Sequence, residues 1–100
     1  MIIRVFRVTV RPGAEEAYER LIAKEAVPLM EKHDGLLNLQ IGRPRPESPG
    51  EYVMVSTWLD QESMERFTGP GWREPVVLPG EAALVTSAAV SHFESIEAAP

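Results

Sequence analysis

Two histidines and two tryptophans carry most of the chemistry open to this chain of 100 residues, because it contains no cysteine. Without a thiol there is no disulfide, no thiolate nucleophile and no cysteine-ligated zinc or iron–sulfur centre. His33 closes a helical pattern where a cation complements the helix dipole, which is a structural role. His92 sits in a β-patterned run between Ser91 and Phe93 and is the candidate acid–base group. The two histidines lie in unrelated segments, so no metal site is expected. Trp58 ends a β-patterned run and shares a face with Met54 and Tyr52. It either fills the core or walls a pocket for a flat ligand, stacking on it or donating its N–H. Trp72 reads as a lid or packing residue. The carboxylate pairs Glu15–Glu16 and Glu62–Glu65 fall on solvent faces and are not expected to form a catalytic pair.

Other functions are excluded by what is missing. The first strand-to-helix turn, Arg11-Pro12-Gly13-Ala14, has neither a P-loop nor a dinucleotide-binding fingerprint. The formal charge is −5, from 15 acidic and 10 basic side chains, which opposes nucleic-acid binding. No stretch approaches the roughly 18 apolar residues that span a bilayer. The first ten residues lack the apolar run and small-residue cleavage site of a secretory signal. A soluble, cytoplasmic protein without a membrane partner is the expectation.

The elements that must hold these residues follow from periodicity. Residues 2–10 alternate as a strand and stop at Arg11-Pro12-Gly13; from Ala14 the period turns helical, with Ala14, Ala17, Tyr18, Leu21 and Ile22 on one stripe. Pro28 lacks an N–H and crowds the carbonyl of Lys24, so the helix is expected to kink there and to end at Asp34-Gly35. Residues 36–41 and 52–59 read as strands separated by a proline-rich loop. Asp60 is an N-cap for a short helix over 60–67 that Gly69-Pro70 stops. Residues 72–78 are expected to add a helical turn, and 84–96 to form the last strand. The order β-α-β-β-α-β predicts an α+β, ferredoxin-like fold with a four-stranded antiparallel sheet, in a single domain over 1–97 with a short tail at 98–100. In the third strand Val53, Val55, Thr57 and Leu59 leave an apolar outer face that a second subunit would cover, so a homodimer is expected.

The run Arg7 to Gly13, the Asp34-Gly35-Leu36-Leu37 stretch, the strand ending in Thr57-Trp58 and the helix from Asp60 to Phe67 together resemble the antibiotic biosynthesis monooxygenase superfamily. The resemblance covers nearly the whole chain and implies a dimeric α/β barrel with a pocket between sheet and helices. It implies a cofactor-independent monooxygenase, an oxidoreductase acting on a small hydrophobic, aromatic or quinol-like molecule. Alternatives on the same fold are a non-catalytic binding or interaction module and an isomerase-like enzyme. Where the polyketide oxygenases carry an Asn and a Tyr around the strand-three Trp, this chain has Met54 and Met64; only Trp58 is kept. Where the heme-degrading branch has an Asn and a His, the chain has Phe6 and the neighbourhood of Val77, so no heme or other cofactor is expected. The implied pocket is lined by Phe6, Tyr52, Met54, Trp58, Met64 and Phe67. Within it His92 is the candidate base, and Arg73 the candidate for stabilising a substrate anion.

Overall fold

The structure, a computed structural model, describes residues 1–96. The tail expected at 98–100 and the last residue of the expected domain lie outside the described residues. Four strands, β1 (Ile2–Val10), β2 (Leu36–Gly42), β3 (Glu51–Trp58) and β4 (Val85–Glu94), form one sheet in the order β2-β3-β1-β4. All three pairings are antiparallel. Helical chain between β1 and β2, and helix α3 (Gln61–Thr68) between β3 and β4, complete the ferredoxin-like α+β fold.

The first helical stretch is α1 (Glu15–Leu21), a π-helical segment (Ile22–Ala26) and α2 (Val27–Glu31). The Val27 N–H donates to the Ile22 carbonyl, one residue further back than in an α-helix. Pro28 has no N–H to offer Lys24, and the chain meets this by widening the turn just before the proline. The disturbance expected at Pro28 is therefore spread over the five residues 22–26.

The strand alternation sorts two faces. Val8 and Val10 of β1 with Tyr52, Ser56 and Trp58 of β3 are buried under the helices. Phe6, Val8, Val10, Tyr18, Ile22 and Tyr52 make one core cluster, and Met30, Trp58 and Met64 a second. On the outer face Ile3 pairs with Thr57, Val5 with Val55 and Arg7 with Val53. In β2 the register slips between Leu36 and Asn38, so Leu36, Leu39 and Ile41 share the phase of the core face and Leu37 is left exposed. An unbroken strand alternation would have put Leu37 on the same face as Leu39 and Ile41.

Residues 72–78 are not a helix. They open with a turn in which the Glu74 N–H donates to the Gly71 carbonyl at 3.0 Å, and then run on without helical hydrogen bonding. Pro75 explains it: the residue before a proline is driven from the α region, and the proline cannot donate. Residues 69–84 thus form a connection without regular structure that meets Arg4 near the start of β1 and, at Leu84, Arg11 just past its end. No helix among the described residues is long and apolar enough to cross a membrane.

Candidate functional site

A cavity lies between the inner face of the sheet and the helical stretch 15–31, with the 69–84 connection closing it. Phe6 and Met54 form its sheet wall, Leu21, Ile22, Ala26 and Met30 its helix wall, and Phe67, Val76 and Leu78 its remaining apolar side. The π-helical segment therefore contributes directly to the wall. Four polar groups enter it: Arg4, Ser56, Tyr18 and Glu81. The free volume is about 40 Å³, room for a few water molecules, so a flat ring enters only if side chains give way. Met30 and Met54 are suited to that, being unbranched and flexible.

Arg4 lies on the core face of β1, opposite Ser56 on β3 and His92 on β4. Its Nη1 donates to the Trp72 carbonyl at 2.7 Å and is 2.7 Å from His92 Nε2, while Nη2 donates to the Glu74 carbonyl at 3.3 Å. Burial lowers its pKa to about 10, so the guanidinium is charged at neutral pH. Since a guanidinium only donates, His92 Nε2 accepts, and the imidazole is neutral with its proton on Nδ1. Burial, and then the nearby Arg4 charge, hold His92 below the usual histidine range. Its ring also meets Trp72 edge-on, centroids 5.1 Å apart.

This geometry bears on each expected site residue. Phe6, Met54 and Phe67 line the cavity together. Trp58 does not: it is fully buried, stacked on Phe67 at 5.5 Å, with Nε1 donating to Ser56 Oγ at 3.0 Å. It stands one layer behind the wall and holds two residues that reach the cavity. Met64 is buried beside Trp58 in the second core cluster. Tyr52 packs on Tyr18, centroids 4.9 Å apart, and its hydroxyl donates to Glu19 at 2.7 Å at a separate groove with Ile41 and Arg43. Burial, then the hydrogen bond to Glu19, push the Tyr52 hydroxyl above its usual range. Arg73 is exposed, with its guanidinium over the Trp72 ring at 4.3 Å. It is not among the residues that line the cavity. His92 is one residue removed from the wall, its Nε2 lone pair taken by Arg4.

The cavity's charged groups were not among the expected residues. Arg4 has a sequence signal, a charge in the phase otherwise held by Phe6, Val8 and Val10. Glu81 has none, because it stands in an aperiodic connection. Its side chain is nevertheless buried, with Oε2 accepting from the Tyr18 hydroxyl at 3.3 Å and Oε1 from the Leu78 N–H at 2.9 Å. Burial, and then the Glu81 charge, push the Tyr18 hydroxyl well above its usual range.

The sequence profile of the antibiotic biosynthesis monooxygenase family matches residues 1–70. The chain belongs to that family. This span includes β1 to β3 and all of α3, hence most of the cavity wall, but stops short of Glu81 and His92. Among solved structures, this family member is similar to SnoaB, a cofactor-independent oxygenase from Streptomyces nogalater, with 25% identity and a TM-score of 0.76, covering 99% of this chain and 96% of that one. MhuD, a heme-degrader from Mycobacterium tuberculosis, shares the fold at 21% identity and a TM-score of 0.71 over 100% of both chains. Protein SO0527 from Shewanella oneidensis shares it at 17% identity and a TM-score of 0.76, over 92% of this chain and 87% of that one. No curated protein matches the sequence.

Proposed function

We propose that this family member is a cofactor-independent monooxygenase acting on a small aromatic or quinol-like molecule bound in the cavity. The observation that carries this reading is the cavity itself, whose aromatic and methionine walls enclose a buried carboxylate. The likeness to SnoaB supports the oxygenase class. Oxygenation without a cofactor starts from a substrate acidic enough to lose a proton. Its anion passes one electron to dioxygen, the two radicals combine at carbon, and the resulting hydroperoxide loses water. A ring CH2 thereby becomes a carbonyl, with one oxygen atom in the product and the other in water. The protein's part is to accept the proton, orient the ring and keep bulk water out.

Glu81 is the proton acceptor in this reading. It lines the cavity, and the Tyr18 hydroxyl and Leu78 N–H fix both of its oxygens. His92 is less suited, since protonation at Nε2 would break its contact with Arg4. Oxygen consumption on adding naphthols, naphthoquinols or anthrone, measured against the enzyme-free rate, tests the activity. Glu81→Gln should lower turnover by about 10²-fold or more while still melting cooperatively. Full activity in that variant would remove Glu81 from the mechanism; no uptake with any of the panel would argue against the oxygenase.

The tightness of the cavity favours a second reading, a non-catalytic binding module, which would bind such rings without consuming oxygen. Either function is read here as that of a homodimer. Ile3, Val5, Val53, Val55 and Phe93 share the uncovered face of the sheet, and a second copy of the chain would take them out of water.

A further inference from the structure

Arg4 takes no part in the proton and oxygen chemistry described above, yet its charge is buried at the cavity wall. Removing a guanidinium from water is costly unless hydrogen bonds and an opposite charge replace its hydration. The exposed Arg20, Arg43, Arg45 and Arg66 each pair with a carboxylate, Glu16, Glu19, Glu47 and Glu62 in turn. Among the described residues no carboxylate pairs with the buried Arg4. Its partners are two main-chain carbonyls and a neutral imidazole. These take three of the five N–H donors that a guanidinium carries, leaving two donors and the whole positive charge without an anion.

The cavity's own acid does not supply one. Glu81 is engaged with Tyr18 and Leu78. Tyr18 packs at a tilt on Tyr52, which lies four residues along β3 from Ser56, the residue paired with Arg4. Those two strand positions are ~13 Å apart at about 3.3 Å per residue, and among the described residues no hydrogen bond or ion pair joins Arg4 to Glu81.

We propose that the cavity takes its ligand as an anion, a flat and largely apolar acid whose oxyanion, a carboxylate or an ionised enol or phenol, docks on Arg4. The apolar walls accept the ring, and the guanidinium selects the ionised form. The inference rests on the reading that this cavity is the ligand site, but not on oxygen chemistry. The alternative is that Arg4 only clamps the 69–84 connection, in which case ligand charge is immaterial.

Equilibrium binding under anaerobic conditions separates the two, using naphthoate, the neutral and nearly isosteric naphthamide, and a hydroxynaphthoquinone that is ionised at neutral pH. The parent protein should bind naphthoate or the quinone anion at least tenfold more tightly than the amide. The preference should vanish in Arg4→Gln and persist in Arg20→Gln, which removes an exposed positive charge. If Arg4→Gln does not melt cooperatively, Arg4→Lys keeps the charge without the planar fork and should retain part of the preference. Tighter binding of naphthoate than of the quinone anion would assign the oxyanion to a carboxylate, and the reverse order to an enolate. Equal affinity for acid and amide in the parent, or an undiminished preference in a folded Arg4→Gln protein, would overturn the proposal. Binding of no probe would overturn it together with the cavity as ligand site. Selective anion binding here, together with no oxygen uptake from the naphthols, naphthoquinols and anthrone in air, would uphold it and overturn the oxygenase reading alone.

Discussion

His92 Nε2 lies 2.7 Å from Arg4 Nη1, and because the guanidinium cannot accept, the imidazole must. The pair is therefore intact only while His92 is neutral. Arg4 is in turn tied to the carbonyls of Trp72 and Glu74, so the protonation state of one strand residue bears on the connection that closes the cavity.

A pH dependence follows. Burial and Arg4 depress the folded-state pKa of His92 below its unfolded value near 6.5. The unfolded chain then binds the proton first, so the contribution is fully present above pH 6.5 and is lost as pH falls through the folded pKa. His92→Gln keeps an acceptor for Arg4 but does not titrate. The melting temperature of the parent should drop relative to that of His92→Gln as pH is lowered from 7 to 5, and parallel curves would contradict the assignment.

Trp58 should act on stability more than on ligand. Replacing it by Phe removes the hydrogen bond to Ser56 Oγ and leaves a gap beside Phe67, Met30 and Met64. Denaturant titration should show a loss of about 1–3 kcal/mol. A ligand affinity that falls tenfold with unchanged stability would instead put the indole against the ligand.

Gly35 is required by close approach. It is buried, and a Cβ there would overlap the side chain of Ser63, itself buried at the start of α3, where its N–H is capped by Asp60 at 2.8 Å. Gly35→Ala should push α3 away from the β2 entry and cost about 1–3 kcal/mol, read from the shift in denaturation midpoint. A midpoint equal to the parent's would mean that the loop yields freely.

The outer face gives a fourth expectation. Val55 is central to it, paired with Val5 on one side and Gln40 on the other. Val55→Glu places a charge in the apolar patch without touching the cavity. Sedimentation should show the parent at twice the chain mass and the variant as monomer; a monomeric parent would refute the dimer.

Much of this architecture is legible in the sequence because alternation reports directly on burial. The inward phase of β3, with Tyr52, Ser56 and Trp58, is such a case, as is the Asp60 cap. Elements fail to show where a single residue changes the register or removes a donor. The extra residue at Leu37 leaves the amino-acid types unchanged, and the apolar run over 76–78 hides that Pro75 forbids the helix. The site is less legible. An apolar pocket wall is what the family resemblance implies, and of the six residues it suggests Phe6, Met54 and Phe67 line the cavity while Tyr52, Trp58 and Met64 do not. Its charges depend on contacts between distant segments, Arg4 with His92 across the sheet and Tyr18 with Glu81 across the cavity, and no local pattern encodes those meetings. Trp58 attracts attention as a large aromatic at a strand end, which is also what a tightly packed corner requires.

The 69–84 connection is fastened to the sheet by its main chain. Arg4 grips the carbonyls of Trp72 and Glu74, atoms that every amino acid supplies. The exposed side chain of Glu74 can therefore be exchanged without unfastening the connection, whereas the Trp72 ring also packs against His92 and the Trp58 cluster; Val76 and Leu78 a few residues on reach the cavity. The anchorage is thus indifferent to the residue type at Glu74. Related proteins could diversify this stretch, and an engineer could graft it, to reshape what the cavity accepts while the sheet stays as it is.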